Sequence, residues 1–471
     1  MEILHRYNDV EREVLRRIKP KKEEYEKGKQ IYELIRDRVE RVLKEKGMEG
    51  EPSLQGSFAK DTWLSGELDL DIFVLFPEEY GVEWVKTEGF QLLVDAVKDL
   101  NYRIRYAEHP YVNLIVDNVE VDLVPALKIR DPSKIKTAVD RTPFHTEYVL
   151  RNLPQDRRDD VRLLKKFMKG IGVYGAEIKV EGFSGYLCEL LVIEYGGFHE
   201  VLQNASKWKI PKVVQVKGTP LDRKLLKTKF RNQKLIVPDP VDPKRNAAAA
   251  VSMKSLSTFI IASRLYIRKP DLVFFFPNIK VDVDPLSIIA SRDTGVCCII
   301  FEIAGLNLSP DILWGELKRI ARRLVSMASQ WGFKVIDVGV WSDEERTALI
   351  LIEVEQKELP PYEVHVGPPV TVENANDFLE KYLYSKEVYG PWINNEGRLL
   401  VLRKRRYEDI ISLIKDRIHE IVITPHLSKS NTHITDLREL GNRIMKHKGL
   451  RLWIIEFALK KPIWMISLIS K

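Results

Sequence analysis

The chain has 471 residues, of which 44% are hydrophobic and 30% are charged. This balance is typical of a folded globular protein and excludes a wholly disordered chain. No segment approaches the roughly 20 uninterrupted apolar residues of a membrane helix, and the first residues, MEILHRYNDVERE, lack the apolar run of a signal peptide. We therefore expect a cytoplasmic protein of several domains, without a membrane segment.

The net charge of +7 is unevenly distributed. Residues 401–471 contain 15 Lys and Arg against 7 Asp and Glu, an excess of +8 in that stretch. A local basic excess favours binding of a polyanion, because released counterions drive much of the affinity. A solvated basic face explains the charge equally well.

The cysteines are Cys188, Cys297 and Cys298, and all three lie in apolar stretches. They lack the CxxC spacing of a zinc site, and their number is odd. We expect buried small side chains and neither disulfides nor metal ligands.

Hydrophobic periodicity predicts an α+β domain at the start of the chain. A helical stripe covers residues 20–47, and the alternating run DLDIFVLF predicts a half-buried strand over residues 69–76. A second helix is expected over residues 82–100. Strands are then expected over residues 102–107, 111–117 and 119–125. This order predicts helices packed on a mixed or antiparallel sheet.

The following part of the chain is predicted to be mainly helical and then mixed. Helices are expected over residues 157–171, 184–206 and 251–267. Residues 296–355 have a β-α-β-β pattern, which favours a ferredoxin-like (RRM-like) domain. Its helix, over residues 310–331, has four cations close together on one face: Lys318, Arg319, Arg322 and Arg323.

Three aspartates form the sharpest candidate site. Asp69 and Asp71 alternate with apolar residues and so face the same side of one strand. Asp122 lies in a further strand-like run, VEVDLVP. Neighbouring carboxylates repel each other unless a cation lies between them, and oxygen ligands suit Mg²⁺ or Mn²⁺. Glu120 shares a face with Asp122 and is a rival ligand, ranked lower because it is nearer a turn.

The turn Gly56-Ser57 lies twelve residues before Asp69. It follows a short extended segment and is predicted to open a short helix over residues 58–64. Backbone N–H groups at such a turn form an anion cradle, although Gly-Ser turns are common and this one alone is a weak signal. Two aspartates alone are more often the polar face of an ordinary strand. Together, the turn and three aspartates describe a two-metal phosphoryl-transfer site.

This combination resembles the nucleotidyltransferase signature of the polymerase-beta-like superfamily. The sequence of several segments is more similar still to the archaeal, class I CCA-adding enzymes, which are CCA tRNA nucleotidyltransferases. The similar segments fall within residues 50–255 and read QGSFAKDTWLSGELDLDIFVLFP, RYAEHPYV, VEVDLVPALKI, AVDRTPFHTEYV, VRLLKKFMKGIGVYGAE, GFSGYLCELL and DPVDPKRNAAAAVS.

The resemblance implies a role for each matching residue. Asp69, Asp71 and Asp122 match the family's metal-binding catalytic carboxylates. The positions that match nucleotide-binding residues are Ser57, Lys60, His145, Lys165, Tyr174 and Arg245, the last of which is implicated in selection of the base.

Two positions depart from the family pattern. Lys60 stands where Arg is expected; it keeps the charge but loses bidentate contact with phosphate, which puts the affinity for the triphosphate in question. Asp69 stands where Glu is expected, and its shorter carboxylate still ligates a hard cation.

Without the resemblance, simpler explanations compete for four of these residues. Lys165 shares a helix face with Lys169 and fits a solvated basic surface. His145 fits a polar cap near a helix start, and Tyr174 fits core packing. Arg245 fits a loop salt bridge, although a planar guanidinium also suits a base edge.

The resemblance implies an α+β, multidomain enzyme with Mg²⁺ as cofactor. It would add C, C and A to the 3′ end of tRNA from CTP and ATP, without a nucleic-acid template, and release pyrophosphate. A homodimer is also expected. The predicted parts are a nucleotidyltransferase domain over residues 1–142, a helical nucleotide-binding domain over 143–285, a ferredoxin-like tRNA-binding domain over 286–390 and a basic RNA-binding region over 391–471.

Two alternatives stay open at this point. Another template-independent RNA nucleotidyltransferase, of the poly(A) or oligoadenylate polymerase type, shares the Gly-Ser turn and the aspartates. A catalytically dead RNA-binding protein belongs to a different class. The intact Asp69, Asp71 and Asp122 speak against it.

Overall fold

The computed structural model describes residues 7–106, 109–137, 139–219, 222–279, 284–428, 431–436, 440–441 and 447–469. The predicted basic region 391–471 therefore lies partly outside the described residues. The chain divides into two units, Met1–Ile279 with Ile466–Lys471, and Lys280–Met465. Within the described ranges, no helix is long and apolar enough to cross a bilayer.

A five-stranded mixed sheet begins the first unit, where the sequence predicts a mixed or antiparallel sheet. The order is β1-β2-β5-β4-β3, in which β2 and β5 are parallel and the other neighbours are antiparallel. The strands are β1 (Glu51–Gln55), β2 (Asp69–Phe76), β3 (Tyr102–Tyr106), β4 (Pro110–Val116) and β5 (Val119–Leu127).

Helices cover one face of this sheet. The alternating residues Leu70, Ile72 and Val74 of β2 are buried in one core with Ile35 and Val39 of the long second helix. The predicted helix over 82–100 is divided by a π-helical stretch at Val85–Gly89 and ends at Val97. The helices of this part are α1 (Asp9–Ile18), α2 (Lys22–Lys46), α3 (Gly56–Ala59), α4 (Gly81–Trp84) and α5 (Phe90–Val97).

The rest of the first unit is mainly helical. The stretch predicted as one helix over 184–206 forms two, because Gly196 takes a left-handed conformation with φ of +92° and ends the first. The elements are α6 (Arg141–Asn152), α7 (Arg158–Gly170), α8 (Gly185–Tyr195), α9 (Phe198–Ala205), α10 (Arg223–Lys229) and α11 (Met253–Arg268), with a parallel pair of short strands, β6 (Lys212–Val213) and β7 (Leu235–Ile236).

The second unit contains the predicted β-α-β-β pattern and extends it. The sheet order is β14-β8-β10-β9, with all neighbours antiparallel. A second helix and β14 complete a β-α-β-β-α-β succession, which is ferredoxin-like. The elements are α12 (Pro285–Ala290), β8 (Gly295–Glu302), α13 (Pro310–Gln330), β9 (Val335–Ser342), β10 (Thr347–Val354), α15 (Ile410–Ile421) and β14 (Thr432–Thr435).

A smaller sheet is inserted between β10 and α15. Its order is β11-β13-β12, and α14 packs against it through Phe378 and Tyr382. The inserted elements are β11 (Tyr362–Pro369), α14 (Ala375–Tyr382), β12 (Val388–Ile393) and β13 (Arg398–Lys404); α16 (Lys448–Leu459) and α17 (Ile463–Ile469) follow β14.

The four cations of α13 differ in their surroundings. Arg319 and Arg322 are exposed, whereas Lys318 and Arg323 are half-buried. The Arg323 guanidinium donates hydrogen bonds to the carbonyl oxygens of Ile421 (3.5 Å) and Ile423 (2.8 Å), where α15 ends. Arg323 therefore caps a helix C-terminus and is not part of a free basic face. The three cysteines are buried, as predicted.

Candidate active site

The carboxylates lie on the two central parallel strands. The register of β2 and β5 puts Asp71 beside Asp122 and Asp69 beside Glu120. Since residues two apart on a strand face the same side, these four side chains share one face of the sheet. All four line a cavity of about 360 Å³.

Repulsion and burial act together on this cluster. Burial, followed by the charges of Glu120 and Asp71, raises the pKa of Asp69 to about 6. Burial and the neighbouring Asp122 raise the pKa of Asp71, and burial raises that of Asp122. The donor type and shared face fit a hard divalent cation, which would offset this repulsion. Among the described residues, no group of three or more His, Cys, Asp or Glu is already arranged to hold an ion.

Asn113 of β4 orients two of the carboxylates. Its Nδ2 donates to Asp122 Oδ1 (2.6 Å) and to Glu120 Oε1 (2.8 Å). Glu120 also forms an ion pair with Arg105 at 3.2 Å, and its side chain is 45% exposed. Glu120 is therefore already paired with a cation on the outer side of the cluster, and its lower rank as a ligand stays a prediction.

Gly56 makes room for a carboxylate. It stands next to Gln55, the residue of β1 that pairs with Asp71, and has φ of +67°. A Cβ at this position would lie 1.8 Å from Asp71 Oδ2, so only glycine fits beside Asp71 in this position. The helix that starts here, α3, ends at Ala59 and is shorter than the predicted 58–64. Ser57 and Lys60 line the cavity.

A buried ionic cluster forms another wall of the cavity. Glu189 of α8 is completely buried; its Oε2 accepts from Lys60 Nζ (2.7 Å) and its Oε1 from Thr62 Oγ1 (2.6 Å). Lys165 Nζ donates to the carbonyl oxygen (3.0 Å) and the hydroxyl (3.1 Å) of Thr62 and lies 3.6 Å from Glu189 Oε1. Lys165 is therefore a buried member of this cluster, not part of a solvated basic surface.

Tyr174 lies beside this cluster. It lines the cavity, and burial raises the pKa of its phenol, so the hydroxyl is protonated and able to donate. Gly185 opens α8 next to it, where an added Cβ would lie 3.0 Å from Tyr174 Oη and 3.5 Å from Lys165 Nζ. Lys169 stands 4.9 Å from the centre of the Tyr174 ring.

His145 and Arg245 form a second group, organised by a buried aspartate. Asp239 is completely buried and lies 2.9 Å from His145 Nε2, 3.2 Å from the Tyr186 hydroxyl and 3.9 Å from the Arg245 guanidinium. The rings of His145 and Tyr186 stack at 4.0 Å. Tyr186 also lines the cavity, with its ring 5.9 Å from Lys60 Nζ, so it connects the two groups.

The structure thus gathers seven of the nine predicted residues around one cavity: Ser57, Lys60, Asp69, Asp71, Asp122, Lys165 and Tyr174. His145 and Arg245 are not among its lining residues and meet at Asp239. Their roles, like those of the other site residues, stay predictions. The sequence interpretation missed the polar residues that hold these side chains in place: Thr62, Asn113, Tyr186, Glu189 and Asp239.

Three family models match successive parts of the chain. A nucleotidyltransferase domain matches residues 36–145, and the second domain of tRNA nucleotidyltransferase matches residues 159–276. The C-terminal domain of the CCA-adding enzyme matches residues 292–435.

Full-length relatives are similar over nearly the whole chain. A CCA-adding enzyme of Sulfurisphaera tokodaii is 41% identical over 97% of this chain and 99% of its own length. One of Sulfolobus acidocaldarius is 37% identical with the same coverage of both chains. Among solved structures, a cytoplasmic RNA terminal U-transferase aligns at 16% identity, over 58% of this chain and 100% of its own, with a TM-score of 0.44.

Proposed function

The chain belongs to the CCA-adding enzyme family, a group of tRNA nucleotidyltransferases, and we propose on that premise how its residues carry out the reaction. The reaction is the template-independent addition, and repair, of the 3′-terminal C, C and A of tRNA. Its substrates on this proposal are tRNA, CTP and ATP, and pyrophosphate is the leaving group.

Nucleotidyltransferases of this kind use divalent metals, and we assign the metal site to Asp69, Asp71 and Asp122. Mg²⁺ is the proposed ion, with Mn²⁺ as an alternative of the same ligand preference. When bound, two such ions would lower the pKa of the attacking 3′-hydroxyl and neutralise charge on the triphosphate. Asn113 keeps the Asp122 carboxylate directed at the shared face through its hydrogen bond.

The cationic and hydroxyl groups that line the cavity suit the triphosphate. Lys60 and Lys165 supply ammonium groups, while Ser57 and Tyr174 supply hydroxyl donors. A triphosphate held between these donors and the carboxylates has its α-phosphorus oriented for in-line attack by the RNA 3′-oxygen. Lys60, in place of the expected Arg, contributes a point charge rather than a bidentate fork.

The group around Asp239 suits recognition of the base. Cytosine and adenine each carry an exocyclic amine, whereas uracil and guanine lack it at the matching place. Arg245, whose side chain is 46% exposed, and His145 are the proposed readers of this difference, with Asp239 holding both. Arg245 has donors only, so RNA phosphates held near it are expected to accept from the exocyclic amine.

The tRNA body is proposed to bind outside this cavity. The basic residues of 391–471 and the exposed Arg319 and Arg322 of α13 provide cations for backbone phosphates. We further propose a homodimer working in the cytoplasm. Replacement of the exposed Lys404, Lys415 and Lys448 by Gln should raise KM for tRNA and reduce its salt dependence, and an unchanged salt slope would refute this role.

The observation that most supports the active-site assignment is the parallel register that pairs Asp71 with Asp122 on the face shared with Asp69. The direct test is Asp122→Ala in the full chain. It should abolish nucleotide incorporation into tRNA while tRNA binding, measured by filter retention, stays intact. Retained incorporation in a folded variant would exclude this carboxylate as a catalytic residue.

A further inference from the structure

Glu189 is a charged residue in the middle of an apolar helix. It lies in the run GYLCELLVIEY of α8, between the buried residues Cys188 and Leu190, and is itself completely buried. An unpaired carboxylate in such a place is strongly unfavourable, so a buried charge of this kind needs close partners. Here both carboxylate oxygens accept a hydrogen bond, from Lys60 and from Thr62.

The partners of Glu189 come from two separate segments. Lys60 follows α3 beside the sheet, and Lys165 lies on α7 in the helical part. Each has a long flexible stem that loses rotamer entropy when it is fixed. Glu189 contacts one ammonium group and lies 3.6 Å from the other, while Thr62 joins Glu189 to Lys165. Both lysines line the same cavity wall.

Glu189 opposes the effect of burial on Lys165: burial lowers the pKa of the Lys165 ammonium group, and the charge of Glu189 acts to raise it. Burial alone would raise the pKa of Glu189, but Lys60 and Lys165 lower it below its usual value. Glu189 is therefore an anion. Its negative charge, placed beside both lysine side chains, reduces their mutual repulsion.

We propose that Glu189 is a positioning residue for the triphosphate: its carboxylate, with the Thr62 hydroxyl, holds Lys60 and Lys165 at the cavity wall. This inference rests on the proposed assignment of both lysines to the triphosphate. Glu189 touches no reacting atom in this scheme. Its contribution is specific to the β- and γ-phosphates and does not extend to the base or to tRNA.

The test is the preference of the full chain for CTP over CMP. It is measured as the dissociation constant of CMP divided by that of CTP. Glu189→Gln keeps the size of the side chain and removes the charge. The ratio should fall at least about tenfold, equivalent to about 1.4 kcal/mol, with the CMP constant unchanged. Glu194→Gln is the matched control, because Glu194 is exposed on the same helix and should leave the ratio unchanged.

Two results would overturn the proposal. One is an unchanged or higher ratio in a folded Glu189→Gln variant, which would make Glu189 only a counter-charge. The other is an equal loss of affinity for CTP and for CMP, which would indicate a structural role. If Glu189→Gln does not fold, Thr62→Val removes the connecting hydroxyl without changing any charge and must still lower the ratio. A wild-type enzyme without any preference for CTP would instead refute the triphosphate assignment itself.

A second feature, independent of the cavity, is a basic stretch in the helical part of the first unit. Residues 206–234 contain ten Lys and Arg but a single acidic residue, Asp222. The Asp222 carboxylate accepts from the backbone N–H groups of Lys224 (2.9 Å) and Leu225 (3.0 Å), so it caps α10. It is therefore occupied by the backbone and forms no ion pair with the cations of this stretch whose side chains the structure describes.

Eight of these ten cations are exposed, and three of the eight lie on α10. Leu226 of α10 packs in a small core with Val213 and Ile236 of the two short strands. None of the exposed cations forms an ion pair with a carboxylate in the part of the chain that the structure describes. We name these residues the α10 patch: Lys207, Lys209, Lys217, Lys224, Lys227, Lys229, Arg231 and Lys234.

The α10 patch adjoins the loop that carries the proposed base-reading arginine. Lys229 Nζ donates to the carbonyl oxygen of Pro243 (3.0 Å), two residues before Arg245. On the other side, the Tyr148 hydroxyl of α6 donates to the carbonyl oxygen of Lys217 (2.7 Å). We infer that the α10 patch binds backbone phosphates of the RNA substrate near its 3′ end, which extends the proposed function to a further surface.

Neutralisation of four patch residues tests this inference. The variant Lys224→Gln, Lys227→Gln, Arg231→Gln, Lys234→Gln should raise KM for tRNA. It should also reduce the slope of log affinity against log salt by about 0.7–0.9 for each phosphate that the patch no longer neutralises. Its dissociation constant for CTP should not change. The matched control neutralises four exposed lysines of α2: Lys22, Lys29, Lys44 and Lys46.

The salt slope decides the outcome. Equal slopes for the patch variant and the α2 variant would overturn the inference, even if both bind tRNA more weakly. A change in CTP affinity would also overturn it, because the effect would then reach the cavity. Wild-type activity on tRNA is measured in the same series, so failure of the proposed function would be seen separately.

Discussion

Replacement of Gly56 by alanine tests how the turn after β1 places Asp71. With φ of +67°, an alanine here costs about 1–2 kcal/mol of backbone strain. The added Cβ would lie 1.8 Å from Asp71 Oδ2 and 2.7 Å from its Cγ, whereas ordinary contact begins at 3.4 Å. The carboxylate oxygen must therefore move by about 1.6 Å, the difference between 3.4 and 1.8 Å. A displacement of about 1 Å can cost roughly 100-fold in rate.

We expect Gly56→Ala to lower kcat for C addition by about 100-fold or more, with KM for tRNA unchanged. Single-turnover incorporation of CTP measures the rate, and urea unfolding measures the strain. Gly47→Ala is the matched control: Gly47 has φ of +64° and nothing within 4 Å of an added Cβ. Its loss of stability should be similar and its activity that of wild type. If folded Gly56→Ala is as active as Gly47→Ala, the placement of Asp71 by this turn is refuted.

Three further predictions concern other parts of the molecule. Asp122→Asn should abolish incorporation, whereas Glu120→Gln should retain measurable activity in the same assay; equal losses would make Glu120 an equivalent ligand. Arg323→Ala should lower the unfolding free energy of the second unit by about 1 kcal/mol, because α15 loses a cap, and Arg322→Ala should not; denaturant titration checks both. Burial raises the pKa of Glu353, but its cationic partners outweigh burial and lower the pKa below the usual 4.5. The contribution of Glu353 to the stability of the fold is therefore complete above pH 4.5 and is lost as the pH falls through the lowered pKa. Glu353→Gln should reduce the slope of the unfolding free energy of the second unit against pH between pH 5 and 3. An unchanged slope would contradict this.

The carboxylate face shows what the sequence can and cannot predict. Asp69 and Asp71 lie on one side of β2 because side chains alternate along a strand, which is a local rule. The position of Asp122 beside Asp71 depends on a parallel pairing between distant strands. No local pattern specifies that register, and the sequence predicts that the three aspartates converge only if the two strands are neighbours. The clash that requires Gly56 is likewise a property of the folded turn.

Glu189 is visible in the sequence as a charge within an apolar helix, but local periodicity does not identify its partner. A single Glu between Cys188 and Leu190 in an apolar helix indicates a buried charge, but its partner Lys60 is 129 positions away. The α10 patch was overlooked for a different reason. Acidic residues elsewhere in the first 400 positions cancel its charge in the total, so that only the excess in residues 401–471 stood out.

The ferredoxin-like sheet was predicted in part. Three of its strands and one helix follow from the β-α-β-β pattern of residues 296–355. The fourth strand, β14, pairs with β8 only after the inserted sheet of β11, β12 and β13. Such an insertion breaks the periodic succession, so the sequence pattern gave no sign that β14 completes the fold.

Nucleotide addition to a tRNA transcript that lacks its last three nucleotides tests the central claim most directly. The transcript is incubated with the full-length protein, Mg²⁺ and labelled CTP or ATP, and products are resolved at single-nucleotide resolution. Two additions with CTP alone, then one A and a stop once ATP is present, are the predicted result. A ladder of A residues from ATP alone, or no incorporation despite tight tRNA binding, would contradict it.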